Sequence, residues 1–412
     1  MTASPPSPEK PRMVVVGSGW RFLSGISYYT CRLSNALDSR FDVGVILMRQ
    51  LLPTRLYPGR DRVGVSLNKL SYDPSVRVLD GVDWWAVPSL FRAVRFLRSF
   101  RPDVIVFQWW TGTVLHSYLV LCLVARLAGI KVVVEFHEVQ DTGEAQHRWA
   151  SLYCRKLIKP LLRRTDGVIV HSGFDRVALR ATYGLDGVPD EIALHGPFDH
   201  HDRSASLTAA PPRPRAAGGS CRLLFFGTIR PYKGLEDLVQ AFGQLPSHYT
   251  LTVVGETWEG WTLPAEMIAD SSARDRITFV NRYVADSEVD EFFAAADVVV
   301  LPYRRSSASG PLHIAMSHGL PVVVTAVGGL VEAAEKYSGT TFVSAGSPSA
   351  LAEAIVAASA NAGRRHTDPS SWEESVAAFT RLFARLGLPV AQDAVITASS
   401  NQTVPLFSPD LR

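Results

Sequence analysis

The chain has 412 residues, 47% of them hydrophobic and 20% charged. These are ordinary globular proportions, and the length exceeds what one hydrophobic core usually supports, so two domains are expected. A formal net charge of +3, with no Lys/Arg tract interleaved with aromatics along one face, argues against a nucleic-acid partner.

Residues 1–12 are rich in Pro and Ser and lack an apolar core, which predicts a disordered tail and not a signal peptide. A β-branched run at 13–16 ends in Gly17-Ser-Gly19, and a helical pattern covers 26–37. Strand-like runs follow at 43–48, 104–107, 132–136 and 168–170, with helical patterns at 90–100, 114–127 and 145–162. From 201 to 220 the composition shifts to Ser, Ala, Pro and Gly, including Pro211-Pro-Arg-Pro214, as in an inter-domain linker. Alternation then resumes, with strands at 223–226, 251–254, 277–280, 298–301 and 322–325. Helices are expected at 235–245, 287–296, 312–317, 351–358 and 372–386. The expected division is a first domain at 13–203, a linker at 204–219 and a second domain at 220–368. A terminal helix at 369–387 crosses back to the first domain, and a second disordered tail covers 388–412. Alternating strands and helices imply an α/β fold: two doubly wound, Rossmann-like parallel sheets, with ligands in the cleft between their carboxyl ends.

Cys31, Cys122, Cys154 and Cys221 are far apart and form no Cys-x-x-Cys pair, which fits reduced thiols in a cytosolic protein. The most apolar helix candidate, 118–128, is shorter than the ~18 residues needed to span a bilayer, so a soluble or peripheral protein is expected.

The segment Leu223-Leu-Phe-Phe-Gly-Thr-Ile-Arg-Pro-Tyr-Lys-Gly-Leu235 carries the strongest chemical signal: a strand ends at Gly227, Arg230 and Lys233 follow in a short loop, and a helix starts after Gly234. Two cations and a helix start aimed at one point suit a diphosphate and would offset charge growing on a phosphate leaving group. The spacing alone fits a basic surface loop equally well. Ser309-Gly310-Pro311-Leu312 opens another helix, whose N–H groups and serine hydroxyl can bind phosphate or sugar oxygens or simply cap the helix.

In the first half, Gly17-Ser-Gly19 lacks the third glycine of a dinucleotide fingerprint because Phe22 stands there; Ser24-Gly25, just before the helix, is better placed. His137 and Glu138 sit at a strand end, where they can act on an acceptor hydroxyl or form a hydrogen-bonded cluster. The HExxH spacing fails because Asp141 occupies the second histidine position, so no metal site is expected there. The run His195-Gly-Pro-Phe-Asp-His-His201 reads as closing the hinge, with metal binding as the alternative. The chain has no Asp-x-Asp triplet and no Gly-x-Ser-x-Gly elbow. Trp109-Trp110, just past a strand, and Trp84-Trp85 fit sugar stacking and core packing equally. Arg92, Arg95, Arg98 and Arg101 recur every three residues, and with Lys156, Lys159, Arg163 and Arg164 they form either a solvated face or one that meets anionic lipid.

The order and spacing of these segments resemble glycosyltransferase family 4, the large retaining GT-B family. The resemblance covers most of residues 13 to 386. It implies that Arg230 and Lys233, in the loop with Gly227 and Thr228, bind the donor diphosphate. Gly255 and Glu256 would then lie beside the nucleotide, Arg282-Tyr283-Val284 along the base, and Ser309, Gly310, Pro311 and Leu312 at the donor sugar. Ser24 and Gly25 would approach the phosphates from the opposite side, His137 would contact the transferred sugar, and Glu138, Trp109 and Trp110 would face the acceptor. The family's two donor-loop glutamates, separated by seven intervening residues, correspond here to Ser306 and Ile314, so ribose recognition must differ.

The implied activity is retaining transfer of a hexosyl-type sugar from a nucleotide-diphosphate sugar to a glycan, lipid-linked or small-molecule acceptor. No metal or other cofactor is expected. The implied location is the cytoplasm, with peripheral contact to anionic membrane at its inner face as one option. The missing glutamates leave open a non-catalytic partner of another glycosyltransferase.

Overall fold

The structure is a computed structural model that describes residues 10–20, 25–51, 70–83, 87–139, 148–198, 219–258 and 260–390. Ser24, Trp84, Trp85 and the linker core 204–218 lie outside the described residues.

The first half runs β1 (Arg12–Ser18), α1 (Gly25–Leu37), β2 (Asp42–Gln50), β3 (Arg77–Asp83), α2 (Val87–Phe100), β4 (Val104–Trp109), α3 (Leu115–Leu127) and β5 (Lys131–Phe136). It continues with α4 (Arg148–Leu162), β6 (Gly167–Val170), α5 (Gly173–Tyr183) and β7 (Asp190–Ile192). The strands form one seven-stranded sheet in the order β3-β2-β1-β4-β5-β6-β7, with every pairing parallel. Parallel strands covered on both faces need apolar side chains on both. β1 shows this residue by residue: Val14 and Val16 enter one core with Leu97, Tyr118 and Leu161, while Met13 and Val15 enter the opposite core with Tyr29, Leu33 and Phe379.

The second half runs β8 (Cys221–Phe226), α6 (Leu235–Gly243), β9 (Tyr249–Val254), α7 (Leu263–Asp270), β10 (Ile277–Val280), α8 (Asp286–Ala295) and β11 (Val298–Leu301). It ends with α9 (Gly310–Ser317), β12 (Val322–Thr325), α10 (Leu330–Ala334), β13 (Thr340–Val343) and α11 (Pro348–Ser359). Its six parallel strands lie in the order β10-β9-β8-β11-β12-β13. The strand order reverses between β8 and β11, and at such a switch point the two flanking loops part and leave a crevice above the carboxyl ends. The corresponding point of the first sheet lies between β1 and β4.

A last helix, α12 (Trp372–Arg385), belongs by packing to the first sheet. Trp372, Val376, Phe379, Leu382 and Phe383 join the core that contains Met13 and Val15. Phe383 meets Phe41 edge-on at 5.3 Å between centroids, Ser375 Oγ donates to Leu194 O at 2.7 Å, and Arg381 and Arg385 reach Glu191. Leu388 and Val390 also pack on this core, so ordered contact extends past the expected end of the helical segment at 387.

At the other terminus, β1 starts inside the expected tail: Arg12 N donates to Asp103 Oδ2 at 2.8 Å. Six of these elements have no counterpart in the periodicity: β3, α5, β7, α7, α10 and β13. β3 lies at the sheet edge and is interrupted by Asp80 and Gly81, and β7 is the three residues Asp-Glu-Ile. Burial pushes the Cys31 thiol up to about 12 and that of Cys122 to about 11, so both are poor nucleophiles.

Trp372 is buried, and a Cβ on Gly196 would overlap its ring at 2.2 Å. Trp372→Ala is therefore expected to destabilise the protein by about 3–5 kcal/mol, checked by urea unfolding. A loss below about 1 kcal/mol would show that α12 is not integral to the first core.

Candidate active site

The crevice at the β8/β11 switch point is built by two loops. The first leaves β8 at Gly227 and passes Thr228, Ile229 and Arg230 into a 3-10 turn, Pro231–Lys233. Gly234 then starts α6 with φ 62°, and a Cβ there would stand 2.1 Å from the Pro302 carbonyl oxygen. Only glycine permits that backbone conformation and that approach together. The second loop, 302–309, leaves β11, and Arg304 N donates to Tyr232 O at 2.8 Å, clamping it to the first.

Lys233 is buried, with its Nζ 3.9 Å from the centroid of the Tyr303 ring. Burial lowers its pKa from the usual lysine value, and the neighbouring Arg230 acts in the same direction. Tyr232 and the Glu138 carboxylate, which comes from the first half, oppose the shift. Arg230 lies over both Tyr232 and Trp258, at 5.4 and 5.7 Å. Arg305, which the sequence reading did not single out, lies 5.4 Å from the same Tyr232 ring, as does Lys233. Three cationic groups thus surround one ring. The two acids of the first turn of α6 are engaged elsewhere: Asp237 accepts from Arg304 Nη2 at 2.9 Å and Glu236 from its Nη1 at 3.1 Å. Arg304 fastens the two loops, and the other three cations gather around Tyr232 apart from those acids.

Across the crevice floor, Gly255 has φ 153°, and a Cβ on it would meet Gly227 O at 1.9 Å. This closeness lets the loops after β8 and β9 pair, with Ile229 N donating to Glu256 O and Trp258 N to Ile229 O. Glu256 accepts from Trp258 Nε1 at 2.9 Å. Arg282 is exposed and paired with Glu288, its Nη1 3.0 Å from Oε2. Tyr283 is half-buried, whereas Val284 is a core side chain, so only its backbone can face a ligand.

Helix α9 opens at Ser309, whose Oγ accepts from Leu312 N and donates to Tyr303 OH, both at 3.3 Å. Pro311 has no N–H, so among the described residues the first turn offers a ligand the Gly310 N–H, fewer donors than the sequence suggests. Ile314 is buried in the core, and Ser306 Oγ donates to Ala308 O within its own loop. The two positions that carry glutamates in the resembled family therefore hold packing and loop geometry here.

The first half supplies the opposing wall. Gly25 is exposed at the start of α1, and Ser27 Oγ donates to Gly19 O at 3.1 Å, tying α1 to the residues just after β1. Trp110 is half-exposed, edge-on to Tyr118 at 6.5 Å, and remains available at the end of β4. Trp109 is not: it is 3% exposed and packs with Phe136 inside the sheet–helix core, because alternation along β4 turns it inward. It cannot stack on an acceptor. His137 is also buried, in a cluster with Tyr29, His171 and His195. His195 in turn meets His313 of α9 at 5.3 Å between centroids, and Phe198 stacks on His313 at 5.7 Å. This wall therefore touches the helix that opens at Ser309. Next to it, the N-terminus of α5 receives a carboxylate from the second half: Gly173 N and Phe174 N donate to Glu332 at 2.6 and 3.0 Å.

Comparison with known proteins agrees with this architecture. Residues 24–194 match a family described as "Glycosyl transferase 4-like domain" and residues 220–361 match "Glycosyl transferases group 1". The chain belongs to the GT-B glycosyltransferases. The glycosyltransferase is 25% identical over 299 residues to a 2-deoxystreptamine glucosyltransferase of Streptomyces kanamyceticus, covering 66% of this chain and 72% of the relative. It is 34% identical over 254 residues to a GDP-mannose:glycolipid 4-beta-D-mannosyltransferase of Xanthomonas campestris pv. campestris, covering 58% of this chain and 65% of that one. Among solved structures, sucrose-phosphate synthase from Thermosynechococcus elongatus shares the fold with a TM-score of 0.61 at 18% identity, over 92% of this chain and 98% of that chain.

Because burial weakens the charged form of Lys233, affinity of this glycosyltransferase for a nucleoside diphosphate is expected to fall as pH rises at values below the ordinary lysine range. Lys233→Arg, whose guanidinium stays charged, should abolish that alkaline loss. Calorimetric titrations with UDP and GDP between neutral and alkaline pH measure it, and an identical pH profile in both proteins would contradict the assignment.

Proposed function

We propose that this enzyme transfers a hexosyl-type sugar from a nucleotide-diphosphate sugar, with retention and without a metal at the diphosphate. The observation that carries the reading is the gathering of Arg230, Lys233 and Arg305 around Tyr232, at the switch-point crevice and close to the start of α9. Cations held this close are stabilised by a multiply charged anion, and a diphosphate fits the span of two loops. The donor in the name of one relative, a GDP-mannose enzyme, supports a nucleotide sugar, and the glucosyltransferase name of another supports a hexosyl group.

In the proposed reaction an acceptor hydroxyl oxygen attacks the anomeric carbon from the face that the diphosphate leaves. The new C–O bond forms as the bond to the β-phosphate oxygen breaks, and the hydroxyl proton passes to that departing oxygen. Arg230 and Lys233 hold the growing phosphate charge, the Gly310 N–H adds a donor, and the wall around His137 closes on the sugar. Glu138 and Trp110 lie on the acceptor side. The Xanthomonas relative is named for a β-mannosyl product; an inverting route here would instead need a base, and Glu138 is the carboxylate near Lys233.

The double variant Arg230→Ala/Lys233→Ala is expected to lose at least about 10²–10³-fold in kcat/KM, measured as nucleotide release from a panel of UDP-, GDP-, ADP- and TDP-sugars. Unchanged turnover would overturn the reading, and absence of nucleotide binding by the wild type would point to a non-catalytic partner. The anomeric proton coupling of the product reads the stereochemistry.

For the acceptor, we propose a lipid-linked glycan reached at an anionic membrane surface. No described helix is long and apolar enough to cross a bilayer. Helices α2, α3 and α4 adjoin one another and expose Phe91, Leu123, Leu127 and Leu152 beside Arg95, Arg98, Lys156 and Lys159. An apolar and basic combination suits insertion among acidic headgroups, and the glycolipid acceptor of the Xanthomonas relative supports it. Co-sedimentation with phosphatidylglycerol vesicles should exceed that with phosphatidylcholine and fall with salt. It should also drop at least about thirtyfold in Arg95→Glu/Arg98→Glu, since each basic residue contributes about 1 kcal/mol near such a surface. Equal binding to both lipids would refute this face.

A further inference from the structure

We propose that His137, His171 and His195 form a binding site for a late first-row divalent metal ion, with Zn2+ the best match. The proposal goes beyond the transfer reading and does not rest on it.

The fold delivers one histidine from each of three adjacent parallel strands. His137 is the first residue after β5, His171 the first after β6, and His195 follows the end of β7. Their ligating nitrogens all lie within 4.8 Å of one another. His137 Nδ1 and His171 Nε2 are 3.1 Å apart. Two nitrogens bound tetrahedrally to one zinc at ~2.0–2.1 Å would stand roughly 3.3 Å apart, so this pair needs almost no movement.

One ring is held from behind, as metal-bound imidazoles are, and a second has a carboxylate behind it. His171 Nδ1 is 2.7 Å from the Ala193 carbonyl oxygen, to which it can only donate, so its Nε2 lone pair faces the cluster. His137 Nε2 lies 3.9 Å from Glu135 Oε2. With Nδ1 on a metal, Nε2 carries the proton and points at that carboxylate. Glu135 is fully buried and held by Tyr29 OH at 2.6 Å and Gln108 Nε2 at 3.0 Å. Among the described residues no lysine or arginine pairs with it.

A hydrogen-bonded pair of neutral histidines would account for the 3.1 Å contact alone. It leaves His137 Nε2 and both nitrogens of His195 buried and without a hydrogen-bond partner. Each unmet polar atom is unfavourable in such a setting. The neutral imidazole is the form that ligates. Imidazole sets favour zinc, copper or nickel over magnesium or calcium. Beside the cluster lies a cavity of about 40 Å³, lined by His171, His195, His313 and Ser307, which leaves room for a fourth ligand such as water. Occupied, the site would make His137 a metal ligand standing behind the sugar wall, a role distinct from the diphosphate binding assigned to Arg230 and Lys233.

The test is direct metal binding. Chelator-stripped wild-type protein is titrated with Zn2+ alone against a chromophoric competitor, and with Co2+ for its visible absorption. One Zn2+ per chain and a tetrahedral Co2+ spectrum are expected. His171→Ala/His195→Ala should weaken Zn2+ binding at least a hundredfold, and Glu135→Gln about 10–100-fold, with circular dichroism checking that each variant is folded. No stoichiometric metal on the wild type, or unchanged binding in a folded double variant, overturns the proposal. UDP and GDP affinity measured on the same stripped protein separates the two readings. Nucleotide binding without zinc binding refutes only the metal site, and zinc binding without nucleotide refutes only the donor assignment.

Discussion

An ammonium group buried against an aromatic ring constrains the second half of the molecule. Lys233 reaches Tyr303 from the loop after β8, and Tyr303 comes from the loop after β11. The contact therefore spans the switch point and fixes its width. Burying a cation is unfavourable unless something compensates. The ring face supplies part of that compensation, while Glu236 and Asp237 are drawn away to Arg304. The geometry keeps positive charge concentrated where the crevice opens. Gly234 and Gly255 matter because they allow the loops to come this close.

The two halves are not joined by the linker alone. Glu332 sits on the N-terminus of α5, where two backbone donors and the helix dipole both favour a carboxylate. His195 and Phe198 meet His313 on α9. Both contacts converge near the start of α9, so any opening of the cleft must break a charge-assisted contact and an aromatic one together.

Much of the fold was legible in the chain because parallel strands buried on both faces write themselves as β-branched runs, such as Val14-Val-Val16 and Val298-Val-Val300. β3 and β7 were not, since edge strands tolerate Asp80, Asp190 and Glu191 and lose that signature. Within the site, Arg230, Lys233 and Gly234 could be read from local spacing because one loop carries them all. Arg305 had no such marker, and its place beside Tyr232 depends on two loops meeting. Trp109 and Trp110 look alike in sequence, yet strand alternation buries the first and leaves the second half-exposed. The histidine cluster has no local spacing to mark it: its members come from three strand ends, far apart in the chain, which only sheet order unites.

The return of α12 to the first sheet has a consequence for biosynthesis. The face of that sheet bearing Met13, Val15 and Tyr29 is completed by Trp372, Phe379 and Phe383. A ribosome delivers those aromatics only after the entire second half has emerged. Until then the nascent amino-terminal half carries an open apolar surface, a natural target for chaperones, while the second half holds a core of its own and can condense without waiting.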